Sequence, residues 1–418
     1  MDKICFLVCQ YGPEVNGGAE YHCKMLAERV VDTYQVDVIT TKIVNYNTFE
    51  PFYTNAVDYQ NGVRVLRFDT QELNHRQYEK QRKKAKFSRK IRRTLYRLGL
   101  LKPLSSIFPT WSLGLQHERA MLENHGFYSP ASYAYLRDHQ QEYKAIIIFS
   151  YLYPHAIFGS EIAPEKTILI PTLHEESEAF RSIQTHQFTK VKHIAFNTEE
   201  EKDLASRIFG KHMAPHSVLA VGVETEFDQV VSFSNVQTKY HIPSTNYIHF
   251  FGRICESKIG KLIPWFISYK AKFPSDLKLV LTGRSFQDKV THPDVIYTGF
   301  VSDEEKITLI KNAFLVVNPS KNESLSLLLL EAMNLGKTVL VNGQSEVMKG
   351  HAIRSDLAAE YYLGEKDFHR KIHKYVSHPD ALQDNARRAK NYVESHYHWR
   401  TILGKLKSLI AQTGRPRH

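Results

Sequence analysis

The chain has 418 residues, 42% of them hydrophobic and 12% aromatic, which excludes a disordered protein. That length exceeds what one core comfortably fills, so two domains are expected. The formal net charge of +11 is concentrated: Arg76 to Lys102 holds twelve Lys or Arg against the single acid Glu79, and the remainder is neutral.

At the front, Lys3 to Cys9 reads as a buried strand that breaks at Gln10-Tyr-Gly-Pro, too short for a secretory signal. Cys5, Cys9, Cys23 and Cys255 form neither metal-ligand spacing nor a disulfide framework, as in a protein of a reducing compartment. Gly17-Gly18 opens the first predicted helix, where the backbone can come close to a ligand; a simple tight turn is the alternative. The charged segment, about 72–112, places Phe87, Ile91, Leu95 and Leu98 on one helical face. Leu100, Leu101, Leu104, Ile107, Phe108 and Trp111 continue its apolar character. A basic amphipathic helix suits an anionic membrane surface, with Lys83, Lys84, Arg89, Arg92 and Arg93 as contacts. Each basic residue near such a surface contributes about 1 kcal/mol. A solvated or salt-bridged basic face is the competing reading, and no nucleic-acid recognition module accompanies the stripe. The longest apolar run, Leu325 to Val341, contains Glu331 and Lys337 and is no membrane span. The expected location is therefore cytoplasmic and peripheral, at the inner face of the plasma membrane.

Strands alternate with helical patterns in both halves, the mark of parallel α/β sheets. Thr167 to Pro171 is a strand followed by His174-Glu175-Glu176, and His193 to Asn197 is another leading to Glu201. The stretch from Asn235 to Asn246 reads as a linker, dividing the chain into 1–240, 241–395 and a terminal helix over 396–418. Tyr247 to Phe251 is a strand ending at Gly252, after which Arg253 and Lys258 offer a fork and a point charge to two phosphates. Two further strands, Leu279 to Thr282 and Val295 to Thr298, each end in glycine, the second followed by Phe300 and Val301. Ala313 to Val317 is a buried strand feeding a helix over Leu325 to Met333, with Ser324 and Ser326 as caps. A strand entering a helix N-terminus makes an anion site. Glu323 and Glu331 stand roughly 12 Å apart at helical rise, about the span from a sugar across a diphosphate to a ribose. That spacing reads as a grip on a nucleotide sugar.

Glu323-x7-Glu331, preceded by Asn-Pro-Ser and followed by Ala-Met-x-x-Gly, resembles the donor signature of retaining glycosyltransferases of family 4. The Gly252-Arg253-x4-Lys258 segment, His174, Asn197 to Glu201, and Val221 to Glu224 match further landmarks of that family, from residue 3 to Trp399. The resemblance implies an α/β protein of the GT-B class: two Rossmann-like domains with parallel sheets facing an interdomain cleft, and a terminal helix crossing back. It implies a catalytic set of Glu323, His174, Arg253 and Lys258. Around them, Gly17, Gly18, Gly252, Phe300, Val301, Ser324, Leu325, Ser326 and Glu331 would complete the donor site. In that reading Glu331 takes the ribose hydroxyls, Glu323 the sugar hydroxyls, and the Phe300–Val301 loop the base. His174 faces a sugar hydroxyl; whether Glu175 or Glu176 takes part stays open.

No two aspartates are separated by one residue, so Arg253, Lys258 and helix N–H groups are expected to neutralise the leaving group without a metal or any cofactor. The partners implied are a nucleotide-sugar donor and a saccharide or lipid-linked acceptor, in cell-surface glycan assembly. Relatives carry Gly after the first glutamate and Phe-Gly next, whereas this chain has Ser324-Leu325-Ser326, which puts the donor's identity in doubt. The rival readings are a GT-B sugar-nucleotide epimerase and a catalytically silent binding partner.

Overall fold

The computed structural model describes residues 1–15, 17–225, 231–243 and 246–413. It divides into two compact units, Met1–Val221 with Arg400–His418, and Gly222–Trp399.

The first unit runs β1 (Lys3–Leu7), α1 (Gly18–Glu28), β2 (Gln35–Thr41), β3 (Val57–Gln60), β4 (Val63–Phe68), α2 (His75–Arg97), α3 (Leu101–Ile107), α4 (Leu115–Glu123), α5 (Pro130–His139), β5 (Ala145–Phe149), α6 (Pro154–Ser160), β6 (Thr167–Ile170), α7 (Ser182–Lys190), β7 (His193–Phe196), α8 (Glu199–Phe209) and β8 (His216–Val218). Its strands order as β3-β4-β2-β1-β5-β6-β7-β8, parallel except for the β3–β4 pair. The continuous run Ala-Ile-Ile-Ile-Phe of β5 is buried along its whole length, as a parallel strand covered on both faces requires.

The second unit runs α9 (Phe233–Tyr240), β9 (Tyr247–Phe251), α10 (Glu256–Ile259), α11 (Leu262–Lys272), β10 (Lys278–Thr282), β11 (Val295–Gly299), α12 (Asp303–Asn312), β12 (Leu315–Asn318), α13 (Leu327–Asn334), β13 (Val339–Asn342), α14 (Glu346–Arg354), β14 (Ala359–Tyr362), α15 (Glu365–Ser377) and α16 (Ala381–His396). Its sheet is wholly parallel in the order β11-β10-β9-β12-β13-β14, with Leu279, Leu281, Leu315 and Val317 in a core closed by Phe266 and Tyr269. A last helix, α17 (Trp399–Gln412), carries the residues after 399 that group with the first unit.

The stretch read as a linker is largely helical. Ser232 Oγ caps α9 by accepting from Asn235 N, and Tyr240 donates to Glu305 of α12 at 2.8 Å. Those contacts hold residues 233–240 to the second unit, which begins at Gly222 rather than at 241.

Candidate functional site

In the second sheet the strand order reverses its winding between β9 and β12, whose main chains pair at Leu315–Ile248 and Val316–His249. Doubly wound sheets bind ligands in the crevice beyond the carboxyl ends of the strands at such a reversal. The two segments singled out in the sequence leave from those two ends: Gly252 and Arg253 follow β9, and the turn to Glu323 follows β12. The first is packed backbone against backbone. Gly252 and Gly283 have φ of 135° and 129°, and Gly252 N donates to Thr282 O at 2.9 Å. A Cβ on Gly283 would lie 2.0 Å from Gly252 O, so only glycine fits there.

Lys258, on α10, reaches across to Glu323, with Nζ 2.6 Å from Oε1, and Nζ also lies 3.4 Å from the Asn322 carbonyl. Both side chains are partly buried, so the pair is screened less than a surface one. The Arg253 guanidinium is half-buried at the same strand end and finds no ion-pair partner among the described residues.

Ser326 is the N-cap of α13, its Oγ accepting from Leu329 N at 3.2 Å, while Ser324 lies two residues before it in the turn. Ser326 sits at φ 79°, a left-handed conformation costing a serine on the order of 1 kcal/mol. The cap, together with a 2.8 Å bond from Asn318 Nδ2 to the same oxygen, offsets a similar amount. Leu325 is buried and its carbonyl accepts from His351 Nε2 at 2.9 Å; Nδ1 of that ring therefore accepts from Tyr392 at 2.9 Å. Burial pushes His351 down to about 3, so it is neutral and the turn carries a permanent donor beneath it.

Glu331 lies in α13 between buried Leu330 and Ala332 and is itself buried. Its Oε1 is 3.3 Å from Lys306 Nζ of α12. Burial raises its pKa and Lys306 opposes the rise. Phe300 is exposed and Val301 buried, and the chain then enters α12 through a reciprocal capping box of Ser302 and Glu305. Gly252, Arg253, Lys258, Glu323, Ser324, Leu325, Ser326 and Glu331 thus share one unit and one sheet edge. Asn318, from the Asn-Pro-Ser run, completes this arrangement with Lys306 and His351, and those last two were not singled out in the sequence.

The remaining candidates belong to the first unit. Gly17 is the N-cap of α1 with an extended backbone, and a Cβ on Gly18 would meet open space. His174 follows β6, with Nδ1 3.6 Å from Glu176 Oε1, which accepts from Tyr151 at 2.6 Å. Glu175 instead accepts from Tyr96 of α2 at 2.9 Å. Of the two carboxylates, Glu176 is the one facing His174. The neighbouring Leu173 N and Asn197 N both donate to buried Glu201, which fixes the His174 loop to the start of α8.

The basic segment corrects the sequence reading in part. Lys83 and Lys84 are exposed, as are Lys80, Lys86, Lys90 and Arg97. Arg92 is not: it is fully buried, donates to Ile208 O at 3.3 Å and stacks over Trp111 at 5.0 Å, and burial lowers its pKa to about 10. Arg89 is held by Glu178 at 2.8 Å, and Arg93 is half-buried. The inner face of α2 carries Ala85, Ser88 and Arg92, with Ser88 donating to buried Glu118 of α4, and of the apolar row Leu95 packs against the core. Phe87 and Leu98, at the two ends of the apolar row, are 66% and 65% exposed, and Ile107 and Phe108 beyond them are exposed too. No helix among the described residues is long and apolar enough to cross a membrane.

Residues 245–372 match the family described as Glycosyl transferases group 1. No curated protein matches the chain. Among solved structures, the chain is similar to sucrose-phosphate synthase from Thermosynechococcus elongatus, at TM-score 0.69 and 14% identity over 99% of both chains. Anabaena HepE, in complex with UDP and glucose, gives 0.68 and 16% over 98% of this chain and 100% of that one. The trehalose-6-phosphate synthase OtsA gives 0.70 and 10% over the whole of both. These likenesses establish an α/β fold of the GT-B class with two Rossmann-like sheets.

Proposed function

We propose that this chain is a retaining, metal-independent glycosyltransferase that moves a sugar from a nucleotide-sugar donor to a saccharide or lipid-linked acceptor in glycan assembly. The observation that carries the reading is the Lys258–Glu323 pair at 2.6 Å, which joins the segments leaving β9 and β12 at the reversal, with Arg253 directly after β9. Two cations and a helix N-terminus are what a diphosphate leaving group needs as the sugar–phosphate bond breaks. Glu331, farther along α13, has the burial and position of a ribose ligand. The match over 245–372 supports glycosyl transfer, and HepE with UDP and glucose supports a nucleotide-sugar donor. Retention of configuration rests on the resemblance of the Glu323-x7-Glu331 signature, as does the departing phosphate's taking the acceptor's proton. The donor reading is tested by thermal unfolding with UDP-, GDP-, ADP- and dTDP-sugars. One should raise the melting temperature in proportion to the logarithm of its concentration. No shift with any of them at millimolar concentration would refute the reading.

The exposed face of α2 supports contact with an anionic membrane. Lys80, Lys83, Lys84 and Lys90 surround exposed Phe87, and exposed Leu98 lies one turn past Thr94. Cosedimentation with phosphatidylserine vesicles should be strong at low salt and fall several-fold at 0.5 M salt. Replacing Lys80, Lys83, Lys84 and Lys90 by glutamine should abolish it, while Lys86→Gln alone should change it little. Equal binding to neutral vesicles would contradict the proposal.

A further inference from the structure

Glu331 is only 7% exposed, and the cation beside it comes from another helix. Lys306 lies in the first turn of α12, and its Nζ is also 3.0 Å from Asp303 Oδ1. That helix starts directly after Phe300 and Val301 and is fixed there by the Ser302–Glu305 box. Glu305 is further tied to Lys239 and Tyr240 of α9, so α12 is braced from both sides. An ionised carboxylate offers one charged acceptor oxygen to each hydroxyl of a vicinal diol; once protonated, one oxygen becomes a donor and the other accepts without the charge. The charges acting on Glu331 both come from α12, with Lys306 favouring the ionised form and Asp303 opposing it.

Resting on the nucleotide-sugar reading, we infer that Lys306 sets the preference for ribonucleotides over 2′-deoxyribonucleotides by holding Glu331 as the acceptor for both ribose hydroxyls. Lys306 is a positioning residue in this scheme, acting through Glu331. Replacing it by methionine keeps an unbranched stem of four heavy atoms and removes the ammonium. Arginine keeps the charge.

The test measures Kd for UDP, GDP and ADP, each beside its 2′-deoxy analogue, on the full chain by calorimetry. The wild-type protein should prefer one ribonucleotide by roughly ten- to hundredfold, the range of one charge-assisted hydrogen bond. In Lys306→Met that ratio should fall to within about twofold of one, and in Lys306→Arg it should return to at least half its logarithm. A Lys306→Met protein with an unchanged melting temperature and the wild-type ratio would overturn the inference and leave the donor reading standing. A wild-type protein that binds a diphosphate without regard to the 2′-hydroxyl would overturn it equally. Binding of none of the six would overturn both readings together.

Discussion

Glu323→Ala is expected to lower turnover by roughly 10²- to 10³-fold while leaving the affinity for a nucleoside diphosphate intact or tighter. The two effects part because Glu323 and Lys258 hold each other at 2.6 Å. Without the carboxylate, the ammonium is free to meet phosphate, but on the proposed reading the donor loses the acceptor that holds its sugar hydroxyls in place for the reaction. Lys258→Ala should behave differently. It removes a phosphate donor and leaves a partly buried carboxylate unpaired, so affinity and turnover should both fall. Calorimetry with the nucleoside diphosphate and a product assay on the same samples separate the cases. A Glu323→Ala enzyme working at near the wild-type rate would remove the carboxylate from the mechanism.

Acidification from pH 7 to 5 is expected to take several kcal/mol from the stability of each unit. Burial pushes His22, His249 and His351 down to about 3, and His125 and His155 to about 4. In an unfolded chain each would titrate near 6.5. Between those values the unfolded state binds a proton that the folded state refuses, so stability drops as pH falls below about 6.5. At pH 5 each histidine accounts for on the order of 2 kcal/mol. Glu201 acts in the opposite sense: burial pushes it from 4.5 up to about 8, so the folded state keeps a proton that the unfolded state releases, and its contribution declines as pH rises between those values. In the first unit Glu201 and Glu118, which burial also raises, stand against four histidines, since burial pushes His193 down to about 4 as well, and the net trend is acid lability. Guanidinium unfolding at pH 7.5, 6 and 5 measures this directly. Midpoints that stay constant across that range would contradict the burial of these rings.

The strands and turns of the second unit were legible because their signals are local. Apolar runs ending in glycine become β9, β10 and β11, and a strand ending at Asn318 feeds a serine-capped helix that holds Glu331, although it starts at Leu327 and leaves Glu323 in the turn before it. Residues that act through tertiary contact were invisible. Lys306 is an ordinary lysine on an amphipathic helix until α13 packs beside it, and His351 shows its role only when its ring meets Leu325. Arg92 was misplaced for the same reason. Charge and period put it on the wet side of α2, but a carbonyl from α8, the ring of Trp111 and the carboxylate of Glu118 on α4 make a polar interior that no local pattern reveals. Once that side turns inward, Phe87 and Leu98 must turn outward.

The inward fastening of α2 has a consequence for whatever meets its other side. A floppy polybasic tail must be ordered as it binds, and loses free energy in doing so. Here Arg92 and Arg89 rivet the helix before any encounter, so the distances among Lys80, Lys83, Phe87 and Lys90 are preset. Such an array acts as a rigid template, not a tether, and it should distinguish surfaces by the spacing of their charges as well as by how many they carry.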